Sequence, residues 1–289
     1  MPPQGKFNKA ARQSTLGRIV GERILDSKSQ LDAIQFIEGK EGLAVKLYPV
    51  QRVCVKAIFG IPFDKYPGMV PVWDKFRENL LYRFTEQEYL QWVYDQGRCN
   101  IGDWRDLPPD GYKEADLLVG RRGGKSQLIS AIAAYKLYLL LSVRSPQEFY
   151  GLVPGSPIDF TFLAQDDDGS NRLYEKMRQD VARSKQVFGS YLKDDTNSAM
   201  KFISEADRSK ENWTPTIKVE AFPCTTNAVR GPSSYFLALD EFAHFRSEKG
   251  ASSEQVYEAA NPATLNFVNH SACCGGKIAR SVPKVSATP

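Results

Sequence analysis

The stretch Val119-Gly120-Arg121-Arg122-Gly123-Gly124-Lys125-Ser126 decides the fold, because its residues are those of a phosphate-binding loop. Glycines let backbone N–H groups curl around phosphate oxygens, and a helix beginning here adds the positive end of its dipole. The lysine reaches the β- and γ-phosphates, and the serine offers a hydroxyl to Mg²⁺. Val119 takes the place of the usual first glycine, which falls one residue later at Gly120. We predict a nucleoside-triphosphate site; a Gly-Gly-Lys turn that merely caps a helix is the alternative.

A second motif, Leu47-Tyr48-Pro49-Val50-Gln51, lies upstream of this loop and could contact the base of the nucleotide. The Gln51 amide can donate to and accept from an adenine edge, and the Tyr48 ring can stack on the base. An ordinary helix entry explains the motif equally well. The predicted nucleotide-binding residues are Gly120, Arg122, Gly123, Gly124, Lys125, Ser126, Gln127, Tyr48 and Gln51.

The residues around the loop alternate between short apolar runs and longer segments with helical spacing. Such alternation predicts an α/β fold with a mostly parallel sheet flanked by helices. The predicted strands are 115–119, 160–164, 217–222, 235–239 and 282–287, and the predicted helices are 126–143 and about 171–188. We interpret Asp166, Asp167 and Asp168 as the acidic first turn of the second helix and not as a metal cluster.

The run Tyr235-Phe236-Leu237-Ala238-Leu239-Asp240-Glu241 is an apolar strand that ends in two carboxylates. A buried strand would bring Asp240 to the Mg²⁺ shell and place Glu241 to polarise the attacking water. The alternative is a strand end that faces solvent. We therefore predict Ser126 and Asp240 as metal ligands, with Glu241 and Lys125 as catalytic groups.

Two weaker features could belong to the same site. The segment Val285-Ser286-Ala287-Thr288-Pro289 would place the hydroxyls of Ser286 and Thr288 near the γ-phosphate, although a plain strand end is equally consistent. Arg230 lies in a loop that leads into the carboxylate strand, where a guanidinium could complete the phosphate site. A surface arginine in a turn is the simpler explanation of Arg230.

Composition and charge exclude several classes of protein. The 289 residues are 42% hydrophobic and 25% charged, and the mean hydropathy is −0.40, values that disfavour a disordered, fibrous or membrane-embedded chain. Five scattered cysteines and an N-terminus without an apolar run predict a cytoplasmic protein. Residues 1–23 contain five basic residues and one acidic residue, which account for the whole net charge of +4.

Three regions follow from these patterns. Residues 1–28 read as a flexible basic arm that could touch nucleic acid, or as a solvated tail. Residues 29–114 are predicted to form a helical lead-in that carries the adenine motif, since apolar residues recur at helical spacing. The examples are Leu80, Leu81, Phe84, Tyr89, Leu90 and Val93. Residues 115–289 are the predicted phosphate-loop core.

Taken together, the motifs resemble those of the ATPase domain of the large terminase subunit of tailed bacteriophages, the motor that packages viral DNA. The resemblance covers residues 43–289 and rests on LYPVQ, VGRRGGKS, FLAQ at 162–165, VRG before FLALDE, and SATP. The late first glycine of the phosphate loop is itself typical of that family. The resemblance implies a P-loop NTPase of the additional-strand, catalytic-glutamate type, in which Arg121 assists nucleotide sensing and SATP couples hydrolysis to movement.

The resemblance also implies cofactors and partners. It implies ATP and Mg²⁺, double-stranded DNA as the translocated substrate, a portal protein and a small terminase subunit as partners, and a homo-oligomeric ring around DNA. It places the protein in the cytoplasm of an infected bacterium, at the portal vertex of the procapsid, with no membrane involved. A nuclease domain follows SATP in the family, so we expect this chain to be a fragment without nuclease activity that is monomeric when isolated. Arg230 is the candidate for an arginine that acts on a neighbouring subunit.

Two other functions stay open from the residues. A DEAD-like helicase also combines an upstream glutamine, a phosphate loop, an Asp-Glu pair and Ser-Ala-Thr; such an enzyme needs a second motor domain and unwinds forked duplexes. A nucleotide-binding scaffold without hydrolysis is the other alternative. Lys125, Asp240 and Glu241 argue against the scaffold, because they are the groups that hydrolysis requires.

Overall fold

The structure is a computed structural model that describes residues 30–74, 79–117, 119, 123–209, 214–223, 233–240, 253–260, 264, 267 and 276–279. Several predicted features lie outside the described residues. They are the arm at 1–28, the strand at 282–287, and Gly120, Arg121, Arg122, Arg230, Glu241, Ser286 and Thr288.

Helices and strands alternate along most of the chain. The helices are α1 (Ala33–Glu38), α2 (Pro49–Ile58), α3 (Glu86–Asp95), α4 (Lys125–Leu141), α5 (Pro146–Phe149), α6 (Asp167–Arg183), α7 (Lys185–Phe188), α8 (Glu205–Arg208) and α9 (Ser253–Ala260). The strands are β1 (Met69–Asp74), β2 (Asn79–Thr85), β3 (Glu114–Asp116), β4 (Ile158–Ala164), β5 (Leu192–Asp195), β6 (Ala199–Phe202), β7 (Ile217–Pro223), β8 (Ser234–Leu239) and β9 (Gly276–Ala279). A 3-10 turn spans Trp104–Asp106.

The main sheet contains seven strands within the described part of the chain, in the order β3-β9-β8-β4-β7-β6-β5. Strands β3, β9, β8, β4 and β7 run parallel, and β6 and β5 complete one edge in antiparallel pairing. Strand β9 therefore lies between the strand that precedes the phosphate loop and the strand that ends at Asp240. The predicted α/β fold, with a mostly parallel sheet and an additional strand, is confirmed.

The central strands β4 and β8 are mostly apolar, as is typical of strands that are buried on both faces of a parallel sheet. Every residue of β4 and of β8 is buried. Helix α4 is buried almost all round and packs against α6, which covers β4 and β7. Helix α1 also packs against α4, and the rings of Phe36 and Tyr138 stack there with centroids 4.7 Å apart.

Several boundaries differ from the predicted ones. Helix α4 begins at Lys125, one residue early, and α6 begins at Asp167, because the Asp166 side chain accepts a hydrogen bond from the Gly169 N–H and caps the helix. The acidic first turn at 166–168 is thereby confirmed. Strand β3 has only three residues and, within the described part of the chain, lies at the sheet edge and pairs with β9 alone.

The prediction of helical structure around Leu80 and Phe84 is wrong. Strands β1 and β2 pair antiparallel in this region, with Val70 opposite Phe84 and Val72 opposite Tyr82. Of the apolar positions that suggested a helix, Tyr89, Leu90 and Val93 do lie in α3, whereas Leu80, Leu81 and Phe84 lie in β2. Phe84 contacts Trp92 of α3, and Leu80 and Leu81 are exposed. Helical spacing and a two-sided strand look alike in such a short apolar run.

No helix among the described residues has the length and apolar character needed to cross a membrane.

Candidate functional site

The described end of the phosphate loop is the turn that starts helix α4. Gly124 is the N-cap residue, with φ 72° and ψ 29°, a left-handed conformation that glycine adopts without a steric penalty. Its carbonyl accepts a hydrogen bond from the Leu128 N–H at 3.0 Å, which closes the first helical turn. Lys125 and Ser126 are thus the first residues of a 17-residue helix, whose N–H groups and dipole favour an anion there.

Asp240 comes directly after β8 and is held at the end of the sheet. Its backbone N–H donates to the Leu163 carbonyl of β4 at 2.8 Å, which extends the pairing of the two strands by one residue. The Lys125 ammonium lies 2.5 Å from Asp240 Oδ1, with the side chains 23% and 12% exposed. Two residues 115 positions apart in sequence therefore meet at one point, the carboxyl edge of the sheet.

The environment of Asp240 fits a divalent cation. Its Oδ1 atom is buried and has no well-directed hydrogen-bond donor among the described residues, so the Lys125 contact is an ion pair only. A carboxylate oxygen of this kind and the hydroxyl of Ser126, the residue after Lys125 in sequence, are hard oxygen ligands, which Mg²⁺ prefers. No group of three or more His, Cys, Asp and Glu side chains that could hold a metal exists within the described residues. Asp240 would act as a single carboxylate ligand, which suits Mg²⁺ bound largely through phosphate and water.

The upstream motif also reaches the loop. Gln51 is buried in the first turn of α2, where its Nε2 donates to the carbonyls of Gly123 and Gly124 at 3.2 Å each. Its Oε1 accepts from the Tyr48 N–H at 2.9 Å, which is the half of a capping box that the third helical residue supplies. Tyr48 is 66% exposed, and a Cβ atom built on Gly124 would lie 3.6 Å from its ring. An exposed ring beside the loop is available for stacking on a base.

Gln127 contacts a buried carboxylate of helix α6. Its Nε2 lies 3.4 Å from Oδ2 of Asp180 on α6, and the Ser130 hydroxyl donates to the same oxygen at 2.6 Å. Asp180 is fully buried, so this cluster joins the helix of the phosphate loop to α6. The sequence reasoning missed Asp180; the signal was an acidic residue on the apolar face that carries Met177 and Val181.

The structure thus gathers most of the described site residues around the start of α4. These are Tyr48, Gln51, Gly123, Gly124, Lys125, Ser126 and Asp240. Contact of Gln127 with a nucleotide stays a prediction, as do the roles of the predicted residues outside the described ranges.

The glycine turn that starts α4 follows β3, and the strand that leads to Asp240 is β8, with β9 as an additional strand between the two. This arrangement defines an α/β P-loop domain. The chain belongs to the family described as "Uncharacterized protein MJ0330, N-terminal P-loop domain", which matches residues 103–266, more than half of its length. A domain of this class implies nucleotide binding with Mg²⁺.

Two solved structures are similar to the chain at low identity. One is the large terminase ATPase domain of Thermus phage P74-26, in a mutant form, with 17% identity and a TM-score of 0.37 over 57% of this chain and 58% of that one. The other is the large terminase of bacteriophage HK97, with 17% identity and a TM-score of 0.37 over 81% of this chain and 37% of that one. The chain thus spans less than two thirds of either protein. No curated protein sequence matches it.

Proposed function

We propose that this chain is the ATP-hydrolysing motor domain of a viral large terminase subunit, which uses ATP and Mg²⁺ to move double-stranded DNA into a procapsid. The observation that carries the ATPase part is the meeting of Lys125 and Asp240 at the start of α4. It brings the cation that binds phosphates and the carboxylate that binds the metal to one point.

Each residue of the proposed site has a distinct task. The N–H groups at the start of α4 and the Lys125 ammonium bind the phosphates, and the Ser126 hydroxyl and Asp240 hold Mg²⁺. Mg²⁺ neutralises charge that develops on the phosphates. Tyr48 stacks on the base, and Glu241, which follows Asp240 in sequence, orients and deprotonates the attacking water. Arg121 assists nucleotide sensing.

The packaging part of the proposal is supported by the set of sequence motifs. LYPVQ, VGRRGGKS, VRG, FLALDE and SATP occur together and in the order of the terminase family. In this role the domain works in the bacterial cytoplasm at the portal vertex, with a portal protein and a small terminase subunit as partners. A ring of subunits surrounds the DNA, Arg230 reaches the nucleotide of a neighbour, and Ser286 and Thr288 couple hydrolysis to movement.

The ATPase part is tested by comparing two variants in nucleotide binding and phosphate release. Lys125→Ala should abolish ATP binding, because it removes the ammonium aimed at the β- and γ-phosphates. Glu241→Gln should bind ATP within several-fold of wild type and lose at least about 10²-fold in hydrolysis, the scale of a lost catalytic base. Equal loss of binding in both variants would refute these roles.

The DNA part is tested by adding nucleic acid to the same hydrolysis assay. Linear double-stranded DNA should stimulate phosphate release, and a forked duplex should not be unwound. Unwinding of the forked duplex would identify a helicase motor instead. Tight ATP binding without phosphate release under all these conditions would identify a nucleotide-binding scaffold.

A further inference from the structure

The Gln51 side chain is fixed in one orientation by three hydrogen bonds. Both Nε2 protons go to carbonyl oxygens of the phosphate loop, those of Gly123 and Gly124, and Oε1 accepts from the Tyr48 N–H. Exchanging the nitrogen and oxygen of the amide would set an oxygen against two carbonyls and an NH₂ group against an N–H. The hydrogen-bond network therefore determines which end of the amide faces the loop.

These contacts determine the direction of the loop's backbone N–H groups. In a planar trans peptide the C=O and the following N–H point in opposite directions. The Gly123 and Gly124 carbonyls point at Gln51, so the N–H groups of Gly124 and Lys125 point away from it. These two N–H groups therefore face the side of the loop opposite Gln51, where they can donate to an anion bound at the helix start.

The helix that carries Gln51 is itself anchored on its far side. The ammonium of Lys56 is fully buried, pairs with the Glu86 carboxylate and donates to the Tyr66 carbonyl at 2.8 Å. Arg52 Nη1 lies 2.6 Å from a carboxylate oxygen of Glu38. Helix α2 is thus tied to neighbouring segments by these contacts, and a side chain in its first turn can hold the loop in one position.

We propose that Gln51 is a positioning residue for the phosphate loop and does not select the base. Resting on the proposed ATPase function, this inference replaces the adenine-reading role that the sequence predicted for Gln51. Both N–H donors of the amide are engaged by loop carbonyls, so neither is left for an acceptor nitrogen of adenine. Gln51 instead keeps the N–H groups of Gly124 and Lys125 directed at the phosphates of any nucleoside triphosphate.

The test uses Gln51→Glu, which keeps the size of the side chain and an oxygen to accept from Tyr48. It removes both donors and sets a carboxylate against the two carbonyls. The matched control is Gln35→Glu, because Gln35 occupies the same place in the capping box of α1, is exposed, and has its capping hydrogen bonds only with Asp32. ATP and GTP are titrated with Mg²⁺ into wild type and both variants by calorimetry.

We expect Gln51→Glu to lower the affinities for ATP and GTP by the same factor, at least about tenfold, because two hydrogen bonds are lost. The affinity ratio of the two nucleotides should stay within about twofold, and Gln35→Glu should match wild type. If the affinity for ATP falls by a factor more than about threefold larger than that for GTP, the inference is overturned, because a residue that recognises adenine would give this result. Unchanged affinity for both nucleotides would overturn it as well.

A second measurement separates this inference from the proposed function. The Leu128 N–H donates to the Gly124 carbonyl that Gln51 also holds, so its hydrogen exchange reports the loop without nucleotide. Exchange at Leu128 should be faster in Gln51→Glu than in wild type or Gln35→Glu, and equal exchange would overturn the positioning role. If wild type binds no nucleotide, the proposed function fails, and this measurement still decides about Gln51. Gln51→Met replaces Gln51→Glu should the latter not fold.

Discussion

Gly124 combines two constraints that act at a single residue. Its φ of 72° strains any other residue, and a Cβ atom there would lie 2.5 Å from Gln51 Nε2, closer than van der Waals contact allows. Gly124→Ala should therefore displace Gln51 or the loop and weaken ATP binding at least about tenfold, besides a loss of about 1 kcal/mol in the free energy of unfolding. Calorimetric titration and urea denaturation measure the two effects.

Gly97 offers a matched control for the effect of backbone conformation. It has a φ of 66°, and a Cβ atom built on it meets nothing within 4 Å. Gly97→Ala should lose about 1 kcal/mol of stability and bind ATP as wild type does. Equal nucleotide affinities in the two alanine variants would contradict the role given to the contact between Gly124 and Gln51.

Asp159, at the start of β4, gives the protein a measurable pH dependence. Burial, and secondly the nearby Glu220 carboxylate, raises the pKa of Asp159 from its ordinary 3.8 to about 6. Because the folded state holds this proton more tightly than the unfolded chain, the Asp159 contribution to stability is fully present below about pH 4 and is lost as pH rises through about 6. Each unit of pKa difference corresponds to about 1.4 kcal/mol.

Asp159→Asn should consequently be more stable than wild type at pH 7.5 by about 1 kcal/mol or more, with the difference vanishing near pH 4. Urea denaturation across this pH range measures it. Asp64→Asn, which changes an exposed carboxylate, serves as the control and should follow wild type. A parallel offset at all pH values for Asp159→Asn would show that the substitution acts through packing and not through charge.

At the scale of single residues, the sequence predicted that Lys125 and Asp240 belong to one site, and the structure brings these two side chains together. We could single out Lys125, Asp240 and the loop glycines because few other structures require these residue types in this order. The contact of Gln51 with the loop could not be predicted, because the same residues serve equally as a capping box and as an adenine motif. Asp180 was missed since its burial depends on how α6 packs against α4.

Among the elements, α2 and α3 are joined by a buried ion pair that should behave as a unit. Lys56 is fully buried and Glu86 is 3% exposed, so removal of either partner leaves a charge without its main counterion. Lys56→Met and Glu86→Leu should each lower the free energy of unfolding by about 3 kcal/mol or more. The double variant should recover much of that loss, because two apolar groups replace the pair.

A double-mutant cycle by urea denaturation measures this coupling. An interaction energy of at least about 1 kcal/mol between Lys56 and Glu86 is expected. Additive losses would show that the two charges are stabilised independently, for example through the contact of Arg52 with Glu86 at 3.4 Å.

The elements that the sequence predicted correctly carry a clear apolar pattern. Strands β4 and β8 are buried throughout, β7 alternates apolar with charged residues up to Ala221, and α4 and α6 are long enough to show their helical spacing. Strand β5 was missed because Leu192–Asp195 is half exposed and rich in acidic residues, so no apolar signal marks it. Strand β6 is apolar and mostly buried, but its four residues are too few to show a period. The antiparallel β1–β2 pair was missed because exposed apolar residues on a strand imitate helical spacing.

At the scale of the whole molecule, sheet order explains why distant motifs form one site. Strands β3 and β8 are separated in the sheet only by β9, and both end at the same edge because they run parallel. The loop after β3 and the carboxylate after β8 therefore converge. The sequence predicted that the loop and the carboxylate strand form one site, but it did not predict that β6 and β5 extend the sheet in antiparallel pairing. That extension depends on pairing between short, partly polar strands.

The central claim is that Lys125 and Asp240 belong to one site for ATP and Mg²⁺. Calorimetric titration of ATP, with and without Mg²⁺, into wild type, Lys125→Ala and Asp240→Asn tests it most directly. Wild type should bind ATP more tightly with Mg²⁺ than without it. Asp240→Asn should bind ATP but lose most of this increase in affinity, and Lys125→Ala should not bind ATP measurably. Superimposable titrations for wild type and both variants would contradict the account.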